Sequence, residues 1–365
     1  MKGNNCKEKK EARIREVQIL VIFTQIFKMK ILRALLYVIS VLTIIYLFGP
    51  HPEKPAYKVD MPNIPAESAQ LETYIKDMES RRPVKPENEA RIIWQNDSLK
   101  NITEFSVVYL HGFSASQEEG DPVHTDFAKK FGCNLYLARL AEHGLDTTEA
   151  LLNLTADNYW QSAKQALAIG KQLGQKVILI GTSTGGTQAI QLAATYPNDV
   201  NALILMSPNI EINDPAAWML NNHWGLQLAR LVKRGNYNVS SDDREVYKKF
   251  WYSKYRLEGT VALEEMLETT MNKETFMKIN QPLLLLYYYK DDQHQDNVVK
   301  VSAMKKMFEE VSTPVASKKA VAVPEAGDHV MGSYIKSGDL ETVKQEISLF
   351  ASEILKMRPA ADTIH

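Results

Sequence analysis

Cysteine is scarce in this chain, which has only Cys6 and Cys133 among its 365 residues. Two cysteines cannot build a disulfide framework or a metal cluster, and an apolar segment that can lie in a membrane separates them. We expect Cys133 to be a small core residue. A strong charge of one sign is also missing, since the net charge is −1, so there is no overall basic bias toward nucleic acid. Internal repeats and low-complexity tracts are absent too.

The charge that is present is unevenly distributed. Residues 1–33 carry nine Lys/Arg and three Glu, a net charge of +6, and the remainder of the chain therefore carries −7. Residues 34–49, ALLYVISVLTIIYLFG, contain no charge, and with Ile31 and Leu32 they approach the roughly 20 residues that cross a bilayer. No A-x-A-like cleavage site follows, which favours an uncleaved membrane anchor over a cleaved signal peptide or a buried core helix. The upstream Lys/Arg predict a cytoplasmic N-terminus, with the main domain on the non-cytoplasmic (periplasmic or extracellular) side.

A second apolar stretch precedes this segment. Residues 14–27 are interrupted by Arg15 and Glu16 and are too short to span a bilayer comfortably. Met29 opens a more conventional start, in which charged residues precede apolar ones. Residues 1–28 are therefore open to interpretation as an upstream extension that the mature protein lacks.

From residue 90 onward, strand-like and helix-like runs alternate. Strands are expected at Ala90–Gln95, Phe105–Leu110, Asn134–Leu140, Val177–Ile180, Ala202–Met206, Leu283–Tyr287 and Ala320–Val323. Helices are expected at Glu67–Ser80, Asn158–Leu173, Thr187–Thr195, Val299–Val311 and Glu341–Leu355. This alternation predicts an α/β fold, in which a mostly parallel sheet is flanked by helices on both faces.

Two segments depart from the alternation. Residues 50–66 are rich in proline and are expected to form an extended linker between the basic and membrane-anchoring segment (1–49) and the main domain (67–365). Residues 211–281 contain several helix-like runs and no convincing strand. A helical insertion between two strands is expected to cap the carboxyl ends of the sheet, where open α/β sheets keep their sites.

A serine stands between glycines where a strand-like run meets a helix-like run, in KVILIGTSTGGTQAI, residues 176–190. Strand-to-helix turns favour small residues, which is a purely structural explanation of Gly181-Thr182-Ser183-Thr184-Gly185. The alternative is a nucleophile elbow, a strained turn that places the Ser183 hydroxyl in a cleft. Nucleotide binding is a weaker interpretation, because the turn lacks the Lys-Ser/Thr of a phosphate loop and the spacing of a dinucleotide fingerprint.

A serine nucleophile needs a base and an acid that orients the base. The base candidate is His329 in VPEAGDHVMGS, which follows the last strand-like run in a Gly-containing loop. The acid candidates Asp291, Asp292 and Asp296 follow an earlier strand in KDDQHQDNVV. Asp296 fits best, because paired valines and a helix follow it closely. Asp292 is the next choice if the strand ends early, and Asp291 stays open.

The developing oxyanion needs hydrogen-bond donors. One is expected to be the backbone N–H of Thr184, the residue after the nucleophile. The other is expected in the loop YLHGFSAS, residues 109–116, where His111-Gly112 allows a tight turn that aims the N–H of Phe113 at the cleft. A plain β-turn is the structural alternative. His111 itself is expected to be a structural hydrogen-bonding residue.

HGFSAS, ARLAEHG, GTSTGG, the aspartate loop and GDHV occur in the order seen in the α/β-hydrolase superfamily. The chain resembles most its carboxylesterase and monoacylglycerol-lipase-like branch, over roughly residues 90–355. The resemblance implies the α/β-hydrolase fold with a catalytic triad of Ser183, Asp296 and His329, and it implies no cofactor or metal. The chain departs from the family pattern in its lengthened acid loop and in Glu142, which stands where a glycine is more usual.

Together these features predict a membrane-anchored serine hydrolase that cleaves small-molecule carboxylic esters through an acyl-enzyme and has no nucleic-acid partner. One alternative is hydrolysis of a thioester, amide or carbon–carbon bond on the same scaffold, because fold does not determine function. Another is a catalytically silent binding protein. Four aromatic residues of the cap segment either line an acyl-binding pocket or belong to the core: Trp218, Trp224, Trp251 and Tyr252.

Overall fold

The computed structural model describes residues 4–360, with side chains from residue 7 onward, so the side chain of Cys6 lies outside the described residues. The chain divides into two compact units, residues 1–51 and residues 52–365. In the first unit, both N-terminal apolar stretches belong to a single 44-residue helix, α1 (Asn4–Leu47). Within the described chain, this is the one helix long and apolar enough to cross a membrane, and a signal sequence meets the same criteria. At 1.5 Å per residue, α1 is about 66 Å long, roughly twice the hydrocarbon thickness of a bilayer.

Nine strands are present in the described part of the second unit. They are β1 (Arg91–Ile93), β2 (Thr103–Leu110), β3 (Asn134–Leu137), β4 (Gly174–Thr182), β5 (Ala202–Met206), β6 (Tyr237–Val239), β7 (Lys254–Arg256), β8 (Leu283–Tyr287) and β9 (Lys318–Ala322). Seven of them form one sheet in the order β1-β3-β2-β4-β5-β8-β9. Every neighbouring pair is parallel except β1 and β3, which confirms the predicted mostly parallel sheet.

Helices cover both faces of this sheet, and further helices form the cap segment. They are α2 (Ser68–Ser80), α3 (Val123–Phe131), α4 (Ala156–Leu173), α5 (Thr184–Thr195), α6 (Gly225–Lys233), α7 (Glu245–Phe250), α8 (Leu257–Thr270), α9 (Lys273–Phe276), α10 (Val301–Glu310) and α11 (Leu340–Leu349). The central strands read as continuous apolar runs because alternate residues enter different cores. In β4, for example, Leu179 belongs to one core cluster, while Ile178 and Ile180 belong to the other.

The cap segment corrects one expectation. Residues 211–281 contain α6 to α9 as predicted, but β6 and β7 also pair there as a small antiparallel sheet. Strands of three residues are too short to display a period of two, so these two strands leave no strand pattern in the sequence. Helix α3 was likewise not predicted. Cys133, just after it, is 3% exposed and packs in the core as expected.

The proline-rich segment is extended but is not a free linker. Residues 52–66 have no helix or strand, yet Ile64 is only 7% exposed. The Lys58 carbonyl accepts hydrogen bonds from the Trp160 indole at 2.9 Å and from the Lys164 ammonium at 2.5 Å. The ammonium of the buried Lys164 thus finds acceptors in a segment that the sequence pattern describes only as a spacer.

Candidate active site

Ser183 occupies a strained turn between β4 and α5. Its backbone has φ 53° and ψ −121°, a conformation that costs a non-glycine residue of order 1–3 kcal/mol. Neighbouring backbone holds it there: the Ser183 N–H donates to Met206 O at 3.0 Å, and the Ser183 carbonyl accepts from Asn209 N–H at 2.9 Å. Gly185 is required beside it, because a β-carbon there would lie 1.9 Å from the Leu110 carbonyl oxygen. These contacts give the turn the geometry expected of a nucleophile elbow.

Asp296 and His329 form a buried pair. Asp296 Oδ2 lies 2.6 Å from His329 Nδ1, and the two side chains are 0% and 8% exposed. The second carboxylate oxygen, Oδ1, accepts the backbone N–H groups of Val298 and Val299 at 2.9 and 3.0 Å. The carboxylate is therefore fixed on both oxygens and orients the imidazole through Nδ1.

The two members of the pair shift each other's pKa. Burial alone would lower the pKa of His329, but the Asp296 carboxylate, together with the more weakly acting Glu119 and Asp328, holds the pKa above its ordinary value. Burial alone would raise the pKa of Asp296. The facing His329 and the amides of Val299 and Val298 nevertheless hold it below its ordinary value. Both shifts favour an ionised carboxylate beside a basic imidazole.

The other two acid candidates lie on an exposed loop. Asp291 accepts from His294 at 2.8 Å, and Asp292 accepts from the Tyr289 hydroxyl at 2.9 Å. Neither contacts His329 in the described part of the chain. Ser183 and His329 line one cavity, although no hydrogen bond joins their side chains among the described contacts. In unliganded enzymes this bond is often long and shortens only when substrate is bound.

Two backbone N–H groups beside Ser183 lack an acceptor among the described backbone hydrogen bonds. They belong to Phe113, after the HG turn, and to Thr184, the first residue of α5. Both residues line the cavity that holds Ser183 and His329. Unpaired N–H groups at a helix start and in an adjacent turn are the donors that an oxyanion hole requires.

Glu119 is a member of the same cavity that the sequence reasoning missed. It lies on a short 3-10 turn, Gln117–Gly120, and is 2% exposed. In the sequence it is one of two adjacent glutamates in a polar stretch, a pattern typical of a solvated loop. Only the three-dimensional structure places its carboxyl group against Gly112 and near the Ser183 side chain.

A family model described as serine aminopeptidase, S33 matches residues 104–329, which is more than half of the chain. The chain belongs to this family. No curated protein matches it significantly. The seven-stranded sheet and its flanking helices are accordingly those of an S33-type α/β-hydrolase.

Solved structures similar to this family member share its fold at low sequence identity. One of the metagenome-derived lipolytic enzymes LipS and LipT superposes with a TM-score of 0.57 at 16% identity, covering 73% of this chain and 98% of that one. A monoacylglycerol lipase from Paleococcus ferrophilus gives 0.51 at 15%, covering 72% and 98%. Est1E from Butyrivibrio proteoclasticus with ferulic acid gives 0.51 at 17%, covering 73% and 95%. These similarities support the α/β-hydrolase fold assigned to the family.

The cavity above Ser183 has a volume of about 730 Å³ and is roofed by the cap of this S33-family domain. Its apolar lining comes largely from the cap, with Met219, Leu220, Leu228, Val232, Leu257 and Leu263. Of the four cap aromatics considered from the sequence, Trp251 lines this cavity, while Tyr252 is buried with its hydroxyl accepting the Leu145 N–H at 2.6 Å. Trp218 and Trp224 are 56% and 36% exposed. Phe113, Tyr247 and Tyr255 line the cavity together with Trp251, and the remaining apolar side chains of the lining are aliphatic.

Proposed function

We propose that this protein is a serine hydrolase that cleaves carboxylic esters. The observation that supports it best is the buried Asp296–His329 pair, joined at 2.6 Å, in the same pocket as a serine with φ 53°. A strained backbone costs stability, and such strain concentrates at functional sites. A silent binding protein of the same fold would have no need of it.

In the proposed mechanism, Ser183 Oγ attacks the acyl carbon while His329 Nε2 takes its proton. Asp296 keeps the other ring proton on Nδ1 and stabilises the imidazolium. The amides of Phe113 and Thr184 bind the oxyanion, and His329 then returns the proton to the leaving alcohol. Water releases the acid from the acyl-enzyme by the same steps. The proposal involves no metal or cofactor.

The first test is labelling of the full chain, in detergent, with a fluorophosphonate probe. Wild type should be labelled. Ser183→Ala should not be labelled, and its melting temperature should equal that of wild type. His329→Ala should be labelled far more slowly. If folded Ser183→Ala retains ester hydrolysis activity, the proposal is refuted. A folded wild type that is never labelled would favour the silent binding protein.

The family description favours a second candidate, hydrolysis of an amide, because it names a serine aminopeptidase. An aminopeptidase must hold a free amino group, whereas most of the exposed surface of the pocket here is apolar. We therefore favour esters with an apolar acyl group. Rates with p-nitrophenyl esters and with aminoacyl p-nitroanilides, measured on the same preparation, decide between the two. Thioester and carbon–carbon substrates belong in the same panel.

The aliphatic side chains that α6 contributes to the cavity lining allow a direct test of the acyl pocket. Ala229 lines the cavity, whereas Leu231 on the same helix is 75% exposed. Ala229→Trp should fill space that a long acyl chain needs, and loss of contact to two or three methylenes at about 0.8 kcal/mol each lowers kcat/KM roughly 15- to 60-fold. Acetyl esters should be affected much less. Leu231→Trp is the matched control and should leave kcat/KM for both the long-chain and the acetyl ester unchanged. Equal effects of the two variants would contradict the assignment.

We also propose that α1 is an uncleaved anchor, with the N-terminus in the cytoplasm and the hydrolase domain on the other side. The charges of residues 1–33 support this orientation. Tags at both ends of the chain test it. Both tags should stay in the membrane fraction after carbonate extraction, and protease added outside intact cells should remove the C-terminal tag alone. Loss of the N-terminal tag from the mature protein would indicate a cleaved signal.

A further inference from the structure

We propose that Glu119 is a positioning residue of the oxyanion hole, where it and His111 hold Gly112 from its two sides and so orient the N–H of Phe113. This inference rests on the proposed hydrolase function. Phe113 N–H belongs to the peptide unit that Gly112 begins, and glycine is the residue whose backbone rotates most freely. A donor after a glycine is useful for catalysis only if other groups fix that glycine in place.

One side of Gly112 is held by Glu119. The Gly112 N–H donates to Glu119 Oε2 at 2.5 Å, and the Tyr109 hydroxyl approaches the same oxygen at 3.4 Å. Tyr109 also bonds Thr182 Oγ1 at 3.0 Å, so the acid is tied to the residue just before Ser183. The fit is close. A β-carbon on Gly112 would lie 2.7 Å from Glu119 Oε1 and 3.0 Å from the β-carbon of Ser183.

The other side of Gly112 is held by His111. The backbone N–H of Leu140 donates to His111 Nε2 at 3.0 Å, which leaves the ring proton on Nδ1. Nδ1 then donates to the Gly112 carbonyl at 2.9 Å. Burial lowers the pKa of His111 to about 4, so the ring stays neutral and keeps this tautomer at neutral pH. Because C=O and N–H point in opposite directions in a trans peptide, fixing the Gly112 carbonyl fixes the direction of the Phe113 N–H.

The charge of Glu119 also bears on the site. Burial raises the pKa of Glu119 to about 7, although the hydrogen bond from the Gly112 N–H opposes this shift. His329 and the Tyr109 hydroxyl also lower this pKa, and Asp328 raises it. The imidazole of His329 is faced in turn by Asp296, Glu119 and Asp328, and each of these carboxylates raises its pKa. The ionised Glu119 therefore favours the protonated histidine. Its removal has an electrostatic consequence that a purely structural residue would not have.

The test compares Glu119→Ala and Glu119→Gln with wild type, using the full chain in detergent and a p-nitrophenyl ester. Glu119→Ala removes the acceptor of the Gly112 N–H, so kcat should fall roughly 10- to 100-fold while KM changes less than about threefold. Glu119→Gln keeps an acceptor oxygen and should recover most of kcat. Because it lacks the charge, the acid limb of its kcat/KM profile should move to lower pH. Glu118→Gln is the matched control, since Glu118 is next in the chain but bonds the Tyr334 hydroxyl at 3.2 Å, and its profile should match wild type.

Wild-type labelling by the fluorophosphonate separates the two proposals. If wild type is labelled and folded Glu119→Ala keeps kcat within threefold, the positioning role is wrong although the hydrolase function stands. If both Glu119 variants lose activity equally, with a lower melting temperature and an unshifted pH profile, Glu119 serves folding alone and the inference is also overturned. If wild type is not labelled, the hydrolase function itself fails.

Discussion

Replacement of Asp296 by asparagine is the most decisive perturbation of the candidate site. The carboxylate accepts three hydrogen bonds: Val298 N–H and Val299 N–H on Oδ1, and His329 Nδ1–H on Oδ2. Asparagine has one acceptor oxygen and one donor NH₂. If its oxygen stays on the two amides, its NH₂ faces His329 Nδ1. The histidine must then accept at Nδ1 and carry its proton on Nε2, where it cannot take a proton from Ser183.

If the asparagine side chain instead rotates by about 180°, its oxygen can accept from His329 Nδ1–H and the productive tautomer is restored. Its NH₂ group then faces the backbone N–H groups of Val298 and Val299. Two buried donors then lose their acceptor, at about 1–3 kcal/mol each, or roughly 2–6 kcal/mol in all. At 1.4 kcal/mol per factor of ten, the productive rotamer is populated at roughly one part in 30 to one part in 10⁴. We expect kcat of Asp296→Asn to fall by roughly 30-fold to 10⁴-fold, and the upper end of this range is close to what a carboxylate-to-amide change costs in a Ser-His-Asp triad.

The assay is kcat for a saturating p-nitrophenyl ester with the full chain, alongside a thermal melt that shows the variant is folded. Asp291→Asn and Asp292→Asn are the controls. Each removes a carboxylate from the exposed part of the same loop and should change kcat less than twofold. If Asp296→Asn retains more than a tenth of wild-type kcat, or if Asp292→Asn loses as much, the reasoning from the buried pair is refuted.

Three further predictions concern pH and stability. The acid limb of the kcat/KM profile should have its midpoint above pH 6.5, because His329 must be neutral to act as a base and its pKa is raised; a midpoint below 6.5 would count against the pair. Gly185→Ala should lower the melting temperature, followed by circular dichroism, by at least roughly 5 °C, since its β-carbon would lie 1.9 Å from Leu110 O; an unchanged melt would show that this close approach is not needed. Arg139→Ala should lower the free energy of unfolding by about 3–5 kcal/mol in urea titrations, because it leaves the buried Glu79 carboxylate, 2.6 Å away, without its cation; a loss below about 1 kcal/mol would be inconsistent with a buried pair.

The parts of the molecule that the sequence predicts well are those with a local chemical signal. The fold follows from strand-like and helix-like runs long enough to display their periods, and the elbow follows from glycines around Ser183. The backbone conformation at position 142 also explains why glycine is more usual there than the glutamate of this chain. Glu142 has φ 62°, a left-handed conformation that glycine adopts without cost.

The identity of the acid partner is ambiguous from spacing, because the chain makes an excursion before it returns to the strand end. Tyr289 and Gln295 pair as an isolated antiparallel bridge, and the Asp296 N–H donates to Tyr288 O at 3.1 Å. The bridge therefore closes residues 290–294 into a separate loop. Asp296 returns beside Tyr288 at the end of β8, where an acid on a shorter loop would also lie. A count along the chain cannot distinguish such a closed excursion from a strand that ends early.

Glu119 and the β6–β7 pair are unpredictable for a different reason. Each depends on a contact that closes an intervening loop rather than on a repeating local pattern. Glu119 reaches the cavity of Ser183 only because its turn folds against Gly112, and polar residues in a turn look alike in sequence whether they are buried or solvated.

The cap is a single uninterrupted stretch of chain between β5 and β8, whereas Ser183, Asp296 and His329 all lie outside it. Most of the apolar pocket lining and the three residues Ser183, Asp296 and His329 are thus encoded in separable portions of the gene. Recombination at two junctions can replace the whole roof in one event and leave the strand ends untouched. Domains built this way can diversify their choice of substrate quickly while inheriting one hydrolytic apparatus unchanged.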